Sequence, residues 1–232
     1  MEHPFTWLGT IPYFTESPER PIIATTIFVA VLLFIISIRV VSVLKKSSQR
    51  LVPEGKLSFR NFFEVVVLSL VNLLKDIIGP HGEKYLPLIG GLFVFILFCN
   101  ILGLIPGFLP PTANPHTNAA LALIVFLYYN YQGFKEHGIG YLKHFAGPLI
   151  YIAPLMIVIE LVSHFFRPLS LTVRLFGNIF GDHEVMGIFS GLVPLIVPVI
   201  FLILGLMVCM IQAFVFAVLS AVYIGLAASH EH

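Results

Sequence analysis

From Val185 to Ser229 the chain runs 45 residues without a formal charge. Water would have to be kept from almost all of that length in a soluble fold. A bilayer accepts it, because lipid replaces water as the solvent for most of its side chains. The feature recurs: Tyr85 to Leu109 is another 25 residues without charge. About 20 apolar helical residues cross a hydrocarbon core of roughly 30 Å, so each run is long enough to span. Composition agrees, with 58% hydrophobic and 11% charged residues, where soluble domains carry about 25% charged residues. A formal net charge of +1 leaves no electrostatic footprint for nucleic acid.

The expected fold is all-α: a polytopic membrane protein with about five membrane helices plus an interfacial amphipathic helix. One membrane domain is expected over residues 1–232. Residues 1–21 form an outer N-terminal segment, without the basic region of a signal peptide, and residues 22–44 a first, retained span. Residues 45–84 form a basic loop. Within it Phe62 to Ile78 is helical in period but broken by Glu64, Asn72, Lys75 and Asp76, which suits a helix lying in the interface. Residues 85–134 hold the second and third spans, the third being marginal because its uncharged part, Ala119 to Phe134, is only 16 residues. Cys99 and Cys209, both in uncharged segments, read as small buried hydrophobes.

Residues 145–228 present a length problem. A helix from Pro198 to Leu226 would be about 43 Å long, too long for an upright crossing. It must slant steeply or break. The stretch before it is longer still, with Pro148, Pro154 and Pro168 as possible kinks. Two long, strongly tilted helices paired as a hairpin would suit packing against another membrane object. Loop charges orient the chain: seven Lys/Arg lie between Lys45 and Lys84, two between Lys135 and Lys143, one in the N-terminal segment and none from Pro106 to Asn118. Basic loops stay on the cytoplasmic side, which puts the N-terminus outside and the C-terminus in the cytoplasm.

Polar chemistry crowds into that long hairpin. Glu160, Arg167 and Arg174 recur at spacings of seven, so each lies only about 20° around the helix from the last. Asn178 joins that face. Arg167 reads either as a snorkelling cation or as the partner of Glu160. Arg174 lies deeper, where an arginine costs roughly 2.5–3.5 kcal/mol on insertion scales. It cannot carry a proton, since its pKa above about 12 keeps it charged. It can govern another group: a cation 4 Å from a carboxylate is worth roughly 4 kcal/mol at an effective dielectric of about 20, or about three pKa units. Asp182, His183 and Glu184 form either a helix-end cluster among headgroups or a proton-entry relay. His164 is either a helix–helix contact or a relay member. The tail His230-Glu231-His232 could chelate a metal, but disorder is the simpler reading. No metal-binding or phosphate-binding motif is present, so no cofactor, nucleotide site or hydrolytic chemistry is expected.

The segment Ser170-Leu171-Thr172-Val173-Arg174-Leu175-Phe176-Gly177-Asn178-Ile179 resembles the signature of subunit a of the F-type ATP synthase. Phe98-Cys99-Asn100-Ile101-Leu102-Gly103-Leu104-Ile105-Pro106-Gly107 is similar to a second stretch of that family, and Gln212-Ala213-Phe214-Val215-Phe216 with Tyr223 to its C-terminal helix. The resemblance implies a non-catalytic stator whose two slanted helices cradle a ring of c subunits. Its further partners would be the peripheral-stalk b subunits, the rest of the complex and membrane lipid, in a bacterial plasma membrane. Arg174 would separate two half-channels, through which protons reach and leave a carboxylate on the ring. By position, Asn178, Gln212 and Glu160 match polar residues of the family. Where many bacterial members have Glu and His, this chain has His183 and Gly205, and Asp182 and Glu184 are candidates for the missing carboxylate. A self-contained secondary transporter is the rival reading; it requires internal repeats and broken helices in both halves, and no such repeat is visible.

Overall fold

The computed structural model describes residues 20–47, 59–105, 107–138, 140–141, 153–192 and 196–228. Among them every regular element is helical. Most of the outer N-terminal segment, the basic stretch 48–58, residues 142–152 with Pro148, and the His230-Glu231-His232 tail lie outside the described residues. Four helices are long and apolar enough to cross a membrane, over Arg20–Ser42, Gly82–Gly103, Pro154–Phe189 and Pro198–Ala228. The chain is an all-α polytopic membrane protein, and its helices fall into two compact units, Met1–Pro111 and Thr112–His232.

The first unit holds α1 (Arg20–Ser47), α2 (Phe59–Ile78) and α3 (Leu86–Gly103). Both α1 and α2 pack on α3, burying Val29, Leu70, Leu74, Ile89, Leu92 and Ile96. The Thr25 hydroxyl, buried in the same unit, donates back to the Pro21 carbonyl at 2.8 Å. Like the other short helix-internal bonds, it removes the penalty of an unpaired donor in lipid. The amphipathic helix α2 ends at Gly79, whose φ of 102° suits a residue without a Cβ. The chain then turns so tightly that Gly82 lies against the backbone carbonyl of Leu74, and Lys75 pairs with Glu83 across the corner. Where the sequence suggested a span running on to Leu109, α3 stops at Gly103. Its end tightens, with Leu104 and Ile105 N–H bonded three residues back, just before Pro106, which has no N–H to continue the ladder.

The second unit holds α4 (Pro115–His137), α5 (Ala153–Leu192) and α6 (Ile196–Ala228). Where the marginal third span is expected there is a helix of 23 residues, about 34 Å long, although it is not among the four apolar enough to count as a span. It gains its length at both ends. Asn114 accepts from His116 N–H at 2.8 Å, with Pro115 as the first helical residue, a favourable start on both counts. At the other end Gly138, at φ 56°, turns the chain so that the Tyr141 ring covers Gly133.

Helices α5 and α6 contain 40 and 33 residues, roughly 60 and 50 Å, about twice an upright crossing. Neither is interrupted. Pro168 lies inside α5, and Pro154 sits harmlessly in its first turn. Phe189 meets Phe201, Asn178 meets Gln212 and Arg167 meets Tyr223. Numbers fall on one helix as they rise on the other, which defines an antiparallel hairpin. Leu171, Leu175 and Ile179 on α5 and Ala213, Phe216, Ala217, Ser220 and Ala221 on α6 are buried where these two helices and α4 pack together. Small residues let the backbones approach closely. Helix α4 packs on both.

The corner at Gly82 gives a direct test. A Cβ there would fall on the Leu74 carbonyl, and overpacking of this kind costs about 1–3 kcal/mol. Gly82→Ala should lower the thermal stability of the purified subunit. Gly91→Ala, where a Cβ meets nothing within 4 Å, should leave it unchanged or raise it through helix propensity.

Candidate functional site

The heptad face of α5 and its buried seam are set by one period. Leu171, Leu175 and Ile179 turn inward at intervals of four, which leaves Arg174 exposed on the outer side with Ser170, Val173 and Gly177. Beside Arg174, a Cβ on Gly177 or Gly181 would meet nothing within 4 Å, so that face is low as well as unoccupied. Arg174 makes no ion pair or hydrogen bond among the described residues. A guanidinium carries five donors and never loses its charge, so α5 presents an exposed, permanent cation.

One turn further along α5, Asn178 reaches across the hairpin. Its Nδ2 donates to Gln212 Oε1 at 2.5 Å, and Gln212 is buried. The Gln212 Nε2 is also buried, with no hydrogen-bond partner among the described residues. The structure therefore brings together Asn178 and Gln212, and sets Arg174 one turn from that link.

Glu160 is placed elsewhere. It accepts from Arg167 Nη2 at 3.3 Å, and the Arg167 guanidinium also lies 5.5 Å from the centroid of the Tyr223 ring on α6. Arg167 thus has both a counter-charge and an aromatic face. Fourteen residues separate Glu160 from Arg174, about 21 Å of helix, and ten separate Arg174 from Glu184, about 15 Å. Asp182 is half-buried, while His183 and Glu184 are exposed. The candidate residues are strung along about 36 Å of α5, comparable to the thickness of a bilayer core, with Arg174 near the middle. Among the described residues no group of His, Cys, Asp and Glu could hold a metal ion.

A family model described as ATP synthase A chain matches residues 23–225. The chain belongs to that family. It is 47% identical over 190 residues to the ATP synthase subunit a of Bdellovibrio bacteriovorus, covering 82% of this chain and 83% of that one. It is 43% identical over 230 residues to the ATP synthase subunit a of Geotalea daltonii, covering 97% and 96%. It is 48% identical over 182 residues to ATP synthase subunit a 2 of Syntrophotalea carbinolica, covering 78% and 76%. The ATP synthase A chain family thus accounts for nearly the whole length of the chain.

Sequence reasoning missed the surroundings of His164. Tyr129, Asn130 and Tyr141 converge on or near its ring, yet in sequence they were only polar letters in and after a marginal span. A Tyr-Asn pair embedded in an otherwise uncharged stretch was the one available signal, since such residues in lipid need partners.

If the Asn178–Gln212 bond joins the two arms of the hairpin, their substitutions must be coupled. Asn178→Ala and Gln212→Ala, each alone and together, should show a coupling energy of about 1 kcal/mol in thermal unfolding of the purified subunit. Ser170→Ala combined with Gln212→Ala should be additive.

Proposed function

We propose that this chain is the membrane stator of a rotary ATP synthase, coupling transmembrane proton flow to ATP synthesis without catalysing a reaction itself. Family membership supports the assignment to the synthase. The observation that carries the mechanism is Arg174, a permanent cation exposed on the long hairpin without a partner among the described residues.

The partner such a cation requires is a carboxylate that arrives from outside. A ring of c subunits turning past the α5–α6 face would bring one repeatedly. In lipid a carboxyl group stays protonated, because burial disfavours the charged form. Beside Arg174 the balance reverses, by roughly 4 kcal/mol at 4 Å and an effective dielectric of about 20, and the proton leaves. Arg174 remains charged throughout and bars direct passage between the two sides. Glu160 on one side, and Asp182, His183 and Glu184 on the other, lie at suitable distances to serve two half-channels. Asn178 and Gln212 hold the arms together beside the arginine. The remaining contacts would be with peripheral-stalk b subunits and lipid. Bacterial relatives support a place in the plasma membrane, and loop charges favour an outer N-terminus. A self-contained transporter would need discontinuous helices around its site, whereas α5 and α6 run unbroken through this one.

ATP-driven proton pumping into inverted vesicles tests the proposal. Arg174→Ala should abolish pumping while the subunit content of the purified complex stays normal. Arg174→Lys should also lose most of it, since a compact ammonium cannot reproduce a planar fork. Normal pumping by the assembled Arg174→Ala complex would overturn the reading.

A further inference from the structure

His164 lies on the heptad face of α5 between Glu160 and Arg167, buried to 6% exposure. A ring nitrogen, Nε2, stands 2.9 Å from Asn130 Oδ1 on α4. The Tyr129 hydroxyl stands 3.4 Å from Nδ1 and 3.5 Å from Nε2. The Phe126 and Tyr129 rings meet the imidazole edge-on, at centroid distances of 5.0 and 5.2 Å.

The direction of each hydrogen bond follows from what each group can do. Asn130 Nδ2 donates to the Phe126 carbonyl at 2.7 Å, and a carbonyl can only accept. That fixes the amide with Oδ1 toward the histidine, where the Tyr141 hydroxyl also donates to it at 3.5 Å. Oδ1 is an acceptor, so His164 Nε2 must carry a proton. Nδ1 is then the nitrogen left to carry the lone pair of a neutral imidazole, with the Tyr129 hydroxyl packed against the ring 3.4 Å from it. Of the charged groups on this part of α5, Glu160 pairs with Arg167 at 3.3 Å, and Arg167 also reaches the Tyr129 hydroxyl and the Tyr223 ring.

We infer that His164 is a positioning residue for the stator: a neutral, Nε2-protonated imidazole that bolts α5 to α4 through Asn130 and Tyr129 and thereby sets the rotation of Arg174. It does not relay protons, because its Nε2 proton points at an amide oxygen, and an amide does not pass a proton on. Its effect on Arg174 is geometric. Arg174 lies ten residues further along the same helix, about 15 Å away. A 20° rotation of α5 would swing a guanidinium some 7 Å from the axis by about 2 Å. Misplacement by about 1 Å can cost 100-fold where charges must meet in register. The functional half of this inference rests on the proposed meeting of Arg174 with a ring carboxylate; the tautomer does not.

Two measurements on the intact complex test it. The first is ATP-driven pumping. His164→Leu should lower it about tenfold or more with normal subunit content. His164→Gln, which keeps an N–H at the Nε2 position, should restore it to within about threefold of the unchanged protein. Adding Asn130→Leu to His164→Leu should cause little further loss, since the two act as one unit. Normal pumping by His164→Leu, or equal failure of His164→Gln, would overturn the positioning role. The second is nitrogen-15 NMR of histidine-labelled complex, with His164 signals identified by their loss in His164→Gln. A protonated Nε2 with a bare Nδ1 is expected at neutral pH. The opposite tautomer or a doubly protonated ring would overturn the inference, and this result decides alone should His164→Leu fail to assemble. If Arg174→Ala pumped normally, the motor reading would fall while the NMR result stood.

Discussion

The proposed function rests on Arg174, a permanent cation that makes no ion pair or hydrogen bond among the described residues of its own chain. A buried or lipid-facing arginine ordinarily finds an acid within its chain, as Arg167 does with Glu160. Arg174 does not, among the described residues, and no relaxation of pKa is open to it. The charge therefore creates a standing demand for a carboxylate. In the proposed stator the exposed face beside Gly177 and Gly181, where a Cβ would meet nothing within 4 Å, would let one approach.

The supporting structure explains how a charge can be held there. Leu171, Leu175 and Ile179 are buried on one side of α5, and Arg174 lies on an exposed flank beside them. Pro168 deprives the His164 carbonyl of its usual helical donor, yet the helix continues, and the Thr172 hydroxyl donates to the Pro168 carbonyl at 2.9 Å. Asn178 bonded to Gln212 fixes the hairpin one turn from the arginine. Arg167 stacked on Tyr223 fixes it two turns to the other side. These two contacts flank Arg174 and neither involves it, as the proposed function requires.

Much of this was legible from residue order because it depends on local period and on solvent. Uncharged runs revealed the spans, and a spacing of seven placed Glu160 and Arg167 close enough to pair. The unusual length of the last two helices announced the hairpin. What stayed hidden depended on contacts between distant segments. The span from Ala119 looked short because its helix starts on the Asn114 cap and continues through Lys135, Glu136 and His137, charged residues that a hydropathy reading discards. The run to Leu109 looked longer than α3 because lack of charge cannot show where a helix tightens and stops. His164 stood between two readings until α4 was seen to bring Asn130 and Tyr129 to its ring. No spacing rule connects residues 34 and 35 positions apart.

The central claim is that a fixed positive charge at Arg174 is what makes proton flow and rotation inseparable. Its most direct test is ATP synthesis in liposomes carrying the purified, fully assembled complex with Arg174→Gln, driven by an imposed pH gradient. The account predicts that synthesis disappears although the gradient is present and the complex is intact. Synthesis within about twofold of that by the unchanged complex would contradict it.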